Sequence, residues 1–199
     1  MKAVRYHSYG DSGVLVYEEA DRPVAGAGQV VVKVAGAAFN PLDVAIRAGF
    51  VQQMFPVAFP HVPNYDVAGV ITEVGEGVSG WSAGDAVVAF LPVTAPGAAA
   101  EYAAAPAGAL AAAPRTVELA DAAALVSTTF PDLDDAGRGV RTVKVFARSD
   151  AAQLAKLVAR ADARQLQIDV AGRRPLTDLA AVHDEAVAGR LPGKTILIP

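Results

Sequence analysis

The clearest chemical pattern in this 199-residue chain is Gly75-Glu76-Gly77-Val78-Ser79-Gly80, which satisfies the G-x-G-x-x-G of dinucleotide sites. Such a loop works because its third glycine opens a helix whose first N–H groups hold a pyrophosphate. Here Trp81-Ser82-Ala83-Gly84-Asp85 follows instead, then the strand-like Ala86-Val87-Val88-Ala89-Phe90, and Pro92 and Pro96 leave no space for a crossover helix. Glu101 stands where a ribose-binding acid would be sought, but without a β-α-β unit that spacing means nothing. The glycines therefore read as a turn between strands. No P-loop pattern occurs. Cysteine is absent, which removes disulfides, Cys-ligated zinc, thiolate nucleophiles and iron–sulfur clusters together. Histidine occurs only at His7, His61 and His183, with no supporting shell visible around any of them.

The elements that must position any site divide the chain in two. Val30–Val34, Val67–Val74 and Ala86–Phe90 are β-branched or apolar runs separated by Pro and Gly, so residues 1–110 predict a barrel-like or sandwich-like β unit. Beyond it, Val126–Phe130 and Thr142–Ala147 read as short strands, with Asp132–Gly139 the most linker-like stretch. Leu154, Leu157, Val158 and Ala161 share a helical face, capped by Ser149 or Asp150 with Gln153 completing a capping box on Asp150. A second helix is predicted over about Leu176–Ala188, ended by Gly189, and Lys194–Pro199 reads as a last strand.

Composition sets outer bounds. With 53% hydrophobic and 19% charged residues the chain can bury a sizeable core. A net charge of −4 and a pI near 5.3 offer nothing to nucleic acid or an anionic membrane. No apolar run approaches the ~18 residues of a membrane span, and the start lacks a signal-peptide pattern. The expectation is a soluble, cytoplasmic protein, and its Ala, Gly, Arg and Asp content fits a GC-rich bacterial genome.

Three blocks of the β half carry a resemblance. Phe39-Asn40-Pro41-Leu42-Asp43-Val44-Ala45-Ile46-Arg47-Ala48-Gly49 is similar to an N-P-x-D-x-x-I-R-x-G block. Val62–Gly75, continued by Gly84-Asp85-Ala86-Val87-Val88, is similar to V-P-G-Y-D-x-A-G-V-V-x-x-V-G and G-D-x-V, and Gly97–Tyr102 to G-G-x-A-E-Y. In this order they resemble the zinc-independent quinone oxidoreductases and enoyl reductases of the medium-chain dehydrogenase/reductase superfamily. Residues 126–199 resemble the closing stretch of the same proteins. The resemblance implies a β-rich α+β fold: a GroES-like, partly open β-barrel with a truncated Rossmann remnant of about two strands and two helices. It divides the chain into a catalytic domain over 1–125, a nucleotide-domain remnant over 126–190 that partly returns to the catalytic domain, and a C-terminal strand over 191–199. More than a hundred residues of the nucleotide-binding domain are missing between Leu125 and Val126, judged against family length.

For the site, the resemblance implies that Asn40 and Tyr65 occupy the places of the zinc ligands in metal-dependent relatives, so no zinc is expected. NADPH is the family's hydride donor, and a small-molecule quinone or enone the acceptor. Asn40 then lies where nicotinamide and substrate meet, its alternative reading being an Asn-Pro turn residue. Tyr65 presents a phenol to the developing oxyanion, or simply packs against the barrel. Phe50 stands near the position of a tyrosine in some enoyl reductases and with Tyr65 is assigned to the substrate. Lys194 faces the cofactor side or is an exposed strand-end lysine. Asp43 braces the Asn40 segment, Asp66 pairs with Arg47, and Asn64 replaces a glycine and calls for a left-handed backbone. Without a pyrophosphate site this chain is expected to bind NADPH weakly and to have little redox activity alone. The competing readings are a non-enzymatic ligand-binding module, dimerising through its remnant strands, and a non-redox cyclase or isomerase using the old cleft.

Overall fold

The computed structural model describes residues 1–126 and 149–199. β1 (Lys2–Arg5) and β2 (Val16–Glu19) form a separate antiparallel ribbon. The hub of the molecule is β3 (Gln29–Ala38), which pairs antiparallel with three partners: β4 (Asp66–Val74), β6 (Tyr102–Pro106) and β9 (Thr195–Ile198). β5 (Ala86–Phe90) and β7 (Leu110–Ala112) extend the sheet beyond β4, and β8 (Gly172–Pro175) closes the other side, parallel to β9. The resulting open sheet has seven strands in the order β7-β5-β4-β3-β9-β8, with β6 branching from β3. The β-rich α+β class is as the resemblance implied.

Side-chain alternation explains why these strands are nearly apolar throughout. Successive residues of a strand face opposite sides, and both sides of this sheet are covered. Val67, Val87 and Ala89 join one core with Val30, Ile46, Ile71 and Leu91, whereas Ala68 and Val88 join another with Ala122, Leu154 and Val158. Covering on two faces demands near-continuous apolar sequence. The pairing of β3 with β4 slips between Val31 and Val32 and again between Val34 and Gly36. Gly36 sits where a Cβ would overlap the Ala120 backbone, so its missing side chain lets the short 3-10 helix Ala120–Val126 pack onto the sheet.

The three α-helices among the described residues have local causes. α1 (Pro41–Arg47) opens with Pro at its first position after an extended Asn40. α2 (Ala151–Asp162) is capped by Asp150, whose side chain accepts from the Gln153 N–H at 2.9 Å, and it buries Leu154, Val158 and Ala161 as the periodicity predicts. α3 (Leu179–Val187) follows a 3-10 turn over Leu176–Asp178, and Gly189 with φ 66° follows its end. β8 is an addition, since Gly172-Arg173-Arg174-Pro175 carries no strand signal; backbone pairing to β9 makes it one. The predicted strands at 126–130 and 142–147 and the linker at 132–139 fall outside the described residues, apart from Val126. No helix among the described residues is long and apolar enough to cross a membrane.

Gly75–Gly80 lies between β4 and β5 with no helix following it. Gly77 and Gly80 take φ values of 75° and 81°, the left-handed backbone that a turn demands.

Candidate functional site

Strand register brings three chain segments to one point. Ala38 at the end of β3 sits opposite Asp66 in β4 and opposite Ile196 in β9. The residues just beyond those pairs, Asn40 and Lys194, therefore meet Asp66 although 154 positions separate the first two. Asn40 Nδ2 donates to Asp66 Oδ2 at 2.6 Å. Lys194 Nζ donates to Asn40 Oδ1 at 2.8 Å and to the Phe39 carbonyl at 3.2 Å, and lies 3.4 Å from Asp66 Oδ2. Three acceptors match the three N–H bonds of an ammonium. The Lys194 side chain is 15% exposed and Asp66 fully buried, so the reading of Lys194 as an exposed strand-end lysine is corrected.

Asp43 is the brace that the sequence implied. Its two oxygens accept from the Asn40 N–H at 2.7 Å and the Asn64 N–H at 3.1 Å, stapling the β3 exit to the β4 entry. Asn64 has φ 65° as expected and donates from Nδ2 to the Ala38 carbonyl at 3.2 Å. Burial, reinforced by the Asp66 charge, pushes the Asp43 carboxyl up to about 7 against the pull of the Asn40 N–H. Asp66 is pushed up to about 6 by burial, opposed by Lys194 and Asn40. Burial lowers the Lys194 ammonium, and the two carboxylates resist. Desolvation thus outweighs attraction on both sides of the pair.

A second buried cluster surrounds Tyr65 and His61. Tyr65 is 2% exposed, and its hydroxyl is 2.9 Å from His61 Nε2. Burial holds His61 down to about 4, opposed by a backbone hydrogen bond at Ala58. A backbone group that favours the charged imidazole must be an accepting carbonyl, which leaves Nε2 to accept the Tyr65 proton. Burial also raises the Tyr65 phenol far above the usual range. Tyr6 packs edge-on against His61 and Phe59, and its buried hydroxyl has no partner among the described residues.

Of the residues assigned to the site, Asn40 and Lys194 are brought into contact. Tyr65 adjoins Asp66 in sequence, but its ring belongs to the core with Val30 and Ile46. Phe50 follows α1 and is 82% exposed. The pairing of Asp66 with Arg47 is corrected: Arg47 donates to the Gly10 carbonyl and to His183 Nδ1, binding α1 to the N-terminal segment and to α3. His183 is a core histidine, edge-on to Phe39. Sequence reasoning missed His61, because an extended segment gives no periodic signal for the His61–Tyr65 contact. It also missed Asp121, which receives Arg173 in a two-pronged ion pair.

Beside Lys194 opens a cavity of about 380 Å³, lined by Asp121, Ile168, Asp169, Val170, Arg173 and Gly193 among others. The arrangement can polarise a carbonyl oxygen and relay a proton between Lys194 and Asp66. Among the described residues no group of three or more His, Asp or Glu is placed to hold a metal ion.

Comparison with known proteins agrees with this architecture. The family described as the alcohol dehydrogenase GroES-like domain matches residues 26–115. A chloroplast envelope quinone oxidoreductase homolog of Arabidopsis thaliana is 37% identical over 126 residues, covering 63% of this chain and 38% of that protein. A 2-methylene-furan-3-one reductase of Solanum lycopersicum is 37% identical over 148 residues, covering 69% of this chain and again 38% of the relative. The matches thus span well under half the length of these curated relatives. The fold is shared with mycobacterial Rv1454c, solved in complex with NADPH, at a TM-score of 0.79 and 19% identity over the full length of both chains.

Proposed function

We propose that this chain, which belongs to the alcohol dehydrogenase GroES-like family of the medium-chain dehydrogenase/reductase superfamily, is the acceptor-binding part of a zinc-independent quinone or enone reductase. The observation that carries the reading is the Lys194–Asn40–Asp66 cluster, whose Lys194 also lines the cavity. A quinone or enone entering there presents its carbonyl oxygen to the Lys194 ammonium. Negative charge developing on that oxygen is stabilised by a fixed positive charge in a dry site, where such contacts are strongest. Asn40 fixes the ammonium from one side and Asp66 from another. Tyr65 and Phe50, which the resemblance assigns to the substrate, are not among the residues lining this cavity: one is buried in the core and the other is exposed.

NADPH is what the family implies, and the residues described do not fit its pyrophosphate. The only G-x-G-x-x-G is the turn between β4 and β5. At the start of α2 the Gln153 N–H is already served by the Asp150 carboxylate. The reading includes a deletion of most of the nucleotide-binding domain at the Leu125–Val126 junction, leaving the parts 1–125, 126–190 and 191–199, and a cytoplasmic location. Loss of the phosphate contacts reduces a micromolar site, worth ~8 kcal/mol, towards millimolar, ~4 kcal/mol.

Calorimetric titration with duroquinone and, separately, with NADPH tests both halves. The expected result is saturable sub-millimolar binding of the quinone, at least tenfold weaker in Lys194→Met, and no saturation by NADPH into the millimolar range. Absence of quinone binding would overturn the acceptor assignment. Micromolar NADPH binding would overturn the loss of the cofactor site.

A further inference from the structure

We propose that the Lys194 amine is a carbonyl-reactive site, condensing with a small neutral aldehyde in the cavity beside it to form an iminium. This chemistry is separate from quinone or enone reduction and stands whether or not that reading holds. Four observations on different atoms carry it. The Lys194 side chain is 15% exposed, whereas Lys2 is 43% exposed and Lys33 and Lys156 stand in solvent. Lys194 is one of the residues that line a cavity of about 380 Å³, within the ~300–1,000 Å³ of small-molecule sites. Asp66 Oδ2 lies 3.4 Å from Nζ. The second oxygen of that carboxylate, Oδ1, is buried without a hydrogen-bond partner among the described residues, so the group has a lone pair free to receive a proton.

The step balances without any other reactant. The ammonium gives one proton to Asp66, and the Nζ lone pair forms a C–N bond to the carbonyl carbon as the C=O π pair moves to oxygen. A proton passes from nitrogen to that oxygen. Asp66 returns its proton, the hydroxyl leaves as water, and the nitrogen lone pair closes the C=N bond. The product iminium carries the positive charge that the ammonium carried, so Asp66 keeps its counter-charge. Burial lowers the Lys194 ammonium, whereas the Glu19 carboxylate raises Lys2, which favours the free amine at the former. The lining residues fit a neutral partner, since Lys194 and Arg173 are balanced by Asp121 and Asp169 and Arg173 is already paired with Asp121.

Incubating the whole chain with benzaldehyde and cyanoborohydride at pH 7, then mapping alkylation at all five lysines by peptide mass spectrometry, decides the matter. Lys194 is expected to label at least tenfold faster than Lys156. Labelling no faster than at Lys156 would overturn the proposal and leave Lys194 a structural ammonium. In folded Asp66→Asn the Lys194 rate is expected to fall about tenfold with Lys156 unchanged, and an unchanged Lys194 rate would remove Asp66 from the step. Should that variant fail to fold, the wild-type ratio of the two lysines still decides.

Discussion

The molecule buries two polar clusters, one around Asn40 and one around Tyr65, and they solve the cost of burial in opposite ways. Around Asn40 the groups are ionisable: two carboxylates that burial raises, one ammonium, and an amide that touches both Asp66 and Lys194. Around Tyr65 the groups stay neutral, with an imidazole accepting from a phenol and a second phenol packed edge-on. A charged cluster needs every partner present, because removing one strands the others without water. A neutral cluster loses only a hydrogen bond. Burial raises the carboxylates of the first and lowers the imidazole of the second, so the two respond to pH with opposite sign.

Breaking the charged cluster is expected to have the largest effect. Asp66→Ala leaves Lys194 facing Asn40 and a carbonyl without its nearest counter-charge, and should cost about 3–5 kcal/mol in urea unfolding. Tyr65→Phe breaks the neutral cluster by leaving His61 Nε2 without its donor, at a cost of about 1–3 kcal/mol. If the order of these two were reversed, the contrast between the clusters would fail.

The pH profile sharpens the same contrast. Asp43 and Asp66 are raised to about 7 and 6, so the stability they lend is full below the unfolded value near 4 and is lost as pH rises through 6 to 7. His61 and His183 are lowered to about 4 and 3, so theirs is full above about 6.5 and is lost as pH falls towards 3. The slopes oppose each other between about pH 4 and 6.5. Thermal melts should therefore change little across that window and decline between pH 6.5 and 7.5. Replacing His61 with Gln should tilt the window towards greater stability at low pH. A wild-type profile that rose from pH 6.5 to 8 would contradict the raised carboxylates. The smallest effect belongs to a residue outside both clusters: Asp150→Ala removes the cap of α2 and should cost about 1 kcal/mol.

Local signals were legible wherever one residue's type answers one backbone need. Asn64 takes the left-handed conformation, Asp150 caps its helix, and the glycines of residues 75–80 make a turn. Asp43 closing back on Asn40 was readable too, since three residues separate them at a helix start. The partners of Asp66 and Arg47 were not. Arg47 and Asp66 look complementary on paper, but α1 carries Arg47 towards α3 and the Gly10 carbonyl, and strand register gives Asp66 to Asn40 and Lys194. Phe50 and Tyr65 were grouped by chemical type, and the fold exposes one and buries the other.

Composition and apolar pattern alone determined a β-rich first half, two later helices and no cysteine chemistry, because side-chain period and turn residues act within a few positions. The ordered blocks around Asn40, Tyr65 and Gly97 carried the resemblance to the quinone oxidoreductases. Only the tertiary structure decided that β3 would pair with β4 and β9 at Ala38, and hence that an asparagine, an aspartate and a lysine from three distant segments would share one buried site. Backbone pairing sets such registers over the whole sheet, and no local stretch of sequence encodes which residues stand just past its ends.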